Sequence, residues 1–346
     1  MAPVVRALAA LTSIEQRVLL TGQHRNLAES FDGVAIDTLS LDFREQSVDA
    51  IRERLTRAIY RYLLPAPPDL VIVQGDTNSA LAGALAAKSR GVPIAHVEAG
   101  LRSHHAEPWP EEENRVAIDA IADLLFAPTE AAAANLAAEA AVTGVIHVTG
   151  NSGIDALLQA REMIRTPVAA SPRKTVLVTC HRRENQGELA RICATLIRLA
   201  AEFPVRILFP LHPNRHIRTA VQAVLGGQEN IELLEAVDHP EMVRLIDQSW
   251  VLLTDSGGLQ EEGTTLGRPV LVMRNVTERI EAGPNVELVG IEPNAILAAV
   301  HRLLMDEVHY ARMAHAALPF GDGRAGPRIA AAIEDWLAKR TLRIAV

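Results

Sequence analysis

Apolar runs of strand length recur along the chain, each followed by a stretch of helical period, and that alternation confines the fold to helices packed on parallel sheets. In the first half the runs are RVLLT (17–21), DLVIV (69–73), PIAHV (93–97), DLLFA (123–127) and VIHVT (145–149). Segments such as SALAGALAAKSR and EEENRVAIDAIA lie between them. After RTPVAASPRK, where Pro167 and Pro172 fit a linker, the pattern restarts with TVLVT, VRILFP, IELLE, WVLLT and PVLVM. The expected architecture is α/β: two Rossmann-like domains, 1–165 and 166–330, with a ligand cleft between them at the C-terminal ends of the strands, then a C-terminal helix and tail over 331–346. A helix expected near 324–339 fits either domain. The opening APVVRALAAL reads as a helix with no strand before it, so a central first strand is expected to be missing.

A length of 346 residues suits two domains of ordinary size. Hydrophobic residues make up 49% of the chain but aromatics only 3%, so Ala, Leu, Val and Ile must build the interior. With a formal charge of −8 and scattered Lys and Arg, nucleic acid is excluded as the main partner. Cys180 and Cys193, the only cysteines, fit neither a disulfide framework nor a zinc site, and a reduced cytoplasm is the expected location. No apolar run reaches membrane-spanning length. HExxH, paired CxxC, a Walker loop and the GxGxxG fingerprint are all absent, so neither a metal nor a cofactor is expected.

Chemistry concentrates where strands give way to helices. Asp76 follows DLVIV and Glu98 follows PIAHV; parallel strands joined by right-handed crossovers bring both carboxylates to one sheet edge. PWPEEENR adds Glu111 and Glu112 in the first turn of a helix. Each acid has a plain structural reading, as a helix cap or as a dipole partner. Together they have the makings of a general acid and base pair. In the second half, His181, Arg182 and Arg183 end a strand, where they can meet phosphate or move a proton, or simply form a basic surface turn. Ser256, Gly257 and Gly258 join a strand to a helix in the manner of a diphosphate-holding turn. Glu262, about one and a half turns later, can accept hydrogen bonds from ribose hydroxyls. His104, His105, His147, His301, His309 and His315 show no ligand spacing.

Taken together, GDTNS, HVEAGLRS, PWPEEENR, TGNSGIDAL, HRREN, LTDSGGLQEE and VLVMRNVTER resemble the motif set of the non-hydrolysing UDP-N-acetylglucosamine 2-epimerases, from the first residues to about 330. The resemblance implies a two-domain fold of the GT-B type, a homodimer, and interconversion of UDP-N-acetylglucosamine and UDP-N-acetylmannosamine by elimination and re-addition of UDP through 2-acetamidoglucal. It implies Asp76, Glu98 and Glu111 as acid/base residues with His181 as a catalytic or diphosphate-contacting partner. Ser256, Gly257, Gly258, Glu262 and Arg279 become the UDP-binding set. TGQH (21–24) matches a region that forms a regulatory substrate site in some members, which points to Gln23 and His24.

Four features depart from the family pattern. A leading strand with a GTRPE-type loop has no counterpart, so the chain reads as truncated at its start and little activity is expected of it in that form. TERPE reads TERIE, with Ile280 in place of proline; Val237 to Met242 offers no aromatic for the uracil; and the loop SHHAEPW is individual. Rival readings are a 2-epimerase of another UDP-sugar, such as a UDP-2,3-diacetamido uronic acid, a GT-B glycosyltransferase, and an inactive UDP-sugar-binding subunit.

Overall fold

Each apolar run expected to be a strand is one in the computed structural model, which describes residues 1–22, 31, 33–39, 41, 47–105, 109–164, 172–180 and 182–344. The chain divides into two compact units, the first formed by 1–156 together with 321–346 and the second by 157–320. The helix Ala325–Ile344 therefore joins the first unit, across the whole length of the second.

In the first unit the strands are β1 (Arg17–Leu20), β2 (Ala35–Thr38), β3 (Val71–Gln74), β4 (Ile94–Val97), β5 (Leu124–Ala127) and β6 (Val145–Val148). All pair in parallel, as a four-stranded sheet β3-β4-β5-β6 and a separate pair β1-β2. Alternation along a strand sends neighbours to opposite faces. Leu125 and Ala127 accordingly pack with Leu81, Ile94, Ile118 and Leu136, while Leu124 and Phe126 pack with Val4, Leu8, Ile329 and Ile333. The opening helix Ala2–Ala9 and the closing helix thus cover one face of this sheet together. Burying each of the Val, Leu, Ile and Phe side chains is worth about 1.5–3 kcal/mol.

The second unit contains β7 (Lys174–Thr179), β8 (Val205–Pro210), β9 (Ile231–Leu234), β10 (Val251–Thr254), β11 (Val270–Val272) and β12 (Val286–Leu288) in one parallel sheet ordered β12-β11-β10-β7-β8-β9. Numbered within the unit this is the order 3-2-1-4-5-6 of a dinucleotide-binding sheet, whose switch point lies between β7 and β10. Ligands of such sheets bind outside the strand ends at that point. The turns after β7 and β10 are therefore the ones to inspect.

The sequence reading misses β2 and β12. AIDT is mostly half-exposed, and VEL is three residues long, so neither makes an apolar run of readable length. Among the described residues, no helix is long and apolar enough to cross a membrane.

Candidate active site

Gly75, directly after β3, has φ +68°, a left-handed conformation that favours glycine. This reversal delivers Asp76 to the sheet edge, and the next residue, Thr77, caps the helix Asn78–Ser89 by accepting from Ala80 N at 3.2 Å. Asp76 is thereby released from the capping duty its position suggests. Glu98, just past β4, adopts φ +70°, which is uncommon for a residue with a side chain. Its side chain lies over Gly75, where an added Cβ would stand 3.7 Å from Glu98 Oε2.

Between these two acids stands Arg115, fully buried on the helix Glu111–Asp119. Its guanidinium donates to Asp76 Oδ2 and lies 3.9 Å from Glu98 Oε1 and 4.0 Å from Glu112 Oε2. One cation thus serves three carboxylates. Asn114, its neighbour, donates to the Asp76 backbone carbonyl at 2.8 Å and fixes the turn from the other side.

The twin acids of the helix start separate into two roles. Glu112 accepts from the backbone N–H groups of Ser103 at 3.0 and 3.1 Å and of His104 at 3.2 Å, clamping the loop that follows β4. Glu111 is half-buried and makes no hydrogen bond or ion pair among the described residues. It is the one of the pair still available to a ligand.

In the second unit, Asp255 immediately follows β10 and is completely buried. It accepts from Arg182 N at 2.9 Å and Asn185 Nδ2 at 3.1 Å, drawing the turn after β7 against the turn after β10. Burial and then Asp255 push the Cys180 thiol far up, which makes it an inert packing group. His181 lies outside the described residues, as do Gln23 and His24.

Ser256 starts the helix Gly257–Thr265 without a side-chain cap bond, so the first amides of this nine-residue helix remain available to an anion. Gly258 has open space where a Cβ would stand. At Gly257 a Cβ would stand 3.0 Å from Arg279 Cζ, so glycine lets the guanidinium run beneath the turn. Arg279 donates to Glu261 at 2.9 Å and to Glu278, which also pairs with Arg274 at 3.1 Å. Burial opposes the charge on Glu278, but Arg279 and Arg274 outweigh it and hold the carboxyl at about 2.

Glu262 lines a cavity of about 310 Å³ together with Thr179, Leu211, Val237, Met242 and Ser256. That lies at the lower end of the size range of small-molecule sites. From outside the cavity wall, His239 Nε2 meets Glu262 Oε1 at 3.1 Å, and this bond raises the His239 pKa.

Arg115, Asp255 and His239 escape a reading of the sequence alone. The NR of EEENR follows Glu111 by one helical turn, a signal that was there to use. Nothing local marks the other two.

Comparison with known proteins adds a second line. A family model described as UDP-N-acetylglucosamine 2-epimerase matches residues 6–334. A probable UDP-N-acetylglucosamine 2-epimerase of Ralstonia nicotianae is 41% identical, over 98% of this chain and 96% of that protein. The UDP-N-acetylglucosamine 2-epimerase of Escherichia coli K12 is 39% identical, over 97% and 95%. The crystal structure of the Neisseria meningitidis UDP-GlcNAc 2-epimerase bound to UDP-GlcNAc superimposes with a TM-score of 0.91 at 34% identity, covering 97% of this chain and 96% of that one.

Proposed function

The chain belongs to the UDP-N-acetylglucosamine 2-epimerase family, and from that premise we propose that it is an isomerase interconverting UDP-N-acetylglucosamine and UDP-N-acetylmannosamine. The observation that carries the reading is the sorting of the first unit's acids: Asp76 and Glu98 flank a buried Arg115, and Glu111, one turn before Arg115 on the same helix, makes no hydrogen bond or ion pair among the described residues.

A carboxylate takes the proton from C2 of the sugar as the C1–O bond to UDP breaks. The C–H electrons become the C1–C2 double bond of 2-acetamidoglucal, and UDP departs with the electrons of the broken bond, in an anti elimination. UDP then adds back to C1 in a syn sense while a protonated acid delivers hydrogen to the other face of C2. Asp76, Glu98 and Glu111 are the acid/base residues, and Arg115 holds the first two in place while offsetting their charge. His181 assists at the reacting bond or the diphosphate.

The second unit binds the leaving group. The turn of Ser256, Gly257 and Gly258 receives the diphosphate at the start of its helix, the Ser256 amide itself donating to Thr254 Oγ1 at 3.0 Å, and Glu262 receives the ribose hydroxyls. Arg279, engaged by Glu261 and Glu278, supports the diphosphate turn from beneath Gly257. Gln23 and His24 belong to a regulatory substrate site. The enzyme works as a homodimer in the cytoplasm, and needs neither metal nor cofactor.

Incubating the purified protein with UDP-N-acetylglucosamine in deuterium oxide tests the reading by NMR at C2. Deuterium at C2 together with a UDP-N-acetylmannosamine signal is expected. UDP binding with no exchange would mark the chain as a nucleotide-sugar-binding protein and sink the epimerase reading.

A further inference from the structure

His96 lies at the centre of the first unit and the reaction makes no use of it. It is the third residue of β4 and is fully buried. Its Nε2 lies 2.9 Å from the Gly75 carbonyl oxygen and its Nδ1 lies 2.6 Å from Asp119 Oδ1. A carbonyl oxygen only accepts, and so does an ionised carboxylate. Both ring nitrogens therefore have to donate.

Asp119, also fully buried, uses its other oxygen to accept from Gly100 N at 3.1 Å and Arg102 Nη2 at 2.7 Å. Arg102 in turn pairs with Glu139 through Nε at 2.7 Å and Nη2 at 3.0 Å. A doubly donating ring and one guanidinium face two carboxylates, so the array balances its own charge, with only Glu139 reaching partly into solvent. Burial opposes ionisation of Asp119, but the His96 bond and Arg102 hold its carboxyl below the ordinary range.

What this array joins gives it a meaning beyond packing. Gly75 is the residue before Asp76, and His96 is two residues before Glu98. Gly100 is two residues after Glu98. Asp119 is four residues after Arg115, one turn along the same helix face. Every segment that carries a member of the acid cluster is thus tied to one buried point.

We infer that His96 and Asp119 are positioning residues for the epimerisation, a proton-bridged pair that sets Asp76, Glu98 and Arg115 in register without touching the substrate. This rests on the epimerase reading above. Carboxylates that must reach two faces of one carbon tolerate little displacement, since an error of about 1 Å costs on the order of a hundredfold in rate. Nucleotide binding, which the second unit performs, is left untouched by the pair.

The test is a double-mutant cycle, His96→Gln, Asp119→Asn and both together, read by the rate of deuterium entry at C2 beside the Kd for UDP. Each single variant is expected to lose about ten- to a hundredfold in kcat, with KM and the UDP Kd within about twofold of the original protein. The double variant is expected to be no worse than the poorer single, because the two act as one unit. Asp119→Glu, which keeps the carboxylate, is expected to recover part of the rate. Singles that lose nothing, or losses that multiply in the double, would overturn the inference while leaving the epimerase reading intact. An original protein that exchanges no deuterium would remove that reading and this inference with it.

If a variant fails to fold, the intact protein decides by nitrogen-15 NMR of labelled histidine. Two protonated, slowly exchanging nitrogens on His96 are expected, and one bare nitrogen would refute the pair.

Discussion

Asp76 and Asp255 occupy nearly the same place in their two units, yet one is half-exposed and bound by a guanidinium while the other is wholly buried and bound by a backbone amide and an asparagine. The difference is one glycine. Gly75 intervenes between β3 and Asp76 and reverses the chain at φ +68°, whereas Asp255 follows β10 without an intervening residue and stays inside. Both turns then hand over to a helix, through Thr77 and Ser256. The turn before it therefore decides whether an acid at a strand end is delivered to the sheet edge or kept inside as a fastener.

Exchanging each acid for its amide is the strongest way to break that comparison. Asp76→Asn is expected to lower the C2 exchange rate by about 10²- to 10⁴-fold, as removal of a general acid or base does, with the UDP Kd nearly unchanged. Asp255→Asn is expected to act the other way. It weakens two hydrogen bonds to a buried charge and is expected to cost about 1–3 kcal/mol of stability in thermal or urea unfolding, and to loosen UDP. If Asp255→Asn stays stable and loses only exchange, the assignment of fastener to the second unit is wrong.

A smaller effect separates the glycines. Gly75→Ala forces a Cβ into the left-handed region and is expected to cost about 1–2 kcal/mol, with a fall in exchange rate as Asp76 shifts. Gly258→Ala has open space and an ordinary backbone, so stability should stay within about 0.5 kcal/mol. Its effect should appear in the UDP Kd instead if the diphosphate is held at this turn as proposed. Equal stability losses at both positions would erase the distinction.

The smallest expected effect is a pH dependence confined to the second unit. His239 has a raised pKa through its bond to Glu262, so its contribution to stability is fully present below the unfolded value of about 6.5 and is lost as pH rises through the higher folded value. The gap in thermal midpoint between the original protein and His239→Asn should therefore close as the medium becomes alkaline. A gap that is constant with pH would show that His239 acts by packing alone.

These contrasts also mark what a sequence can tell. The strands of both sheets are legible because they are buried on two faces and read as unbroken apolar runs. Asp76 and Glu98 are legible because parallel topology fixes where strand ends go. Arg115 is harder: on a helix rich in charge it reads as solvated, and only the convergence of the turns after β3 and β4 buries it. His96 looks like one polar residue in an apolar strand, since its partners lie 21 and 23 positions away along the chain. The need for glycine at 257 is set by Arg279, which a local reading of DSGG does not reach.

The return of the helix Ala325–Ile344 to the first unit has a consequence for the order of events at the ribosome. Val97 and Phe126 are translated early, but Ile329 and Ile333, which cover them, come after the entire second unit. The second unit can condense while its predecessor still waits with one sheet face covered by the opening helix alone, reversing the usual precedence of the N-terminal domain during synthesis. Released chains truncated after residue 320 should resist protease in the second unit and yield in the first, and a holdase chaperone would find its target on that half-covered face.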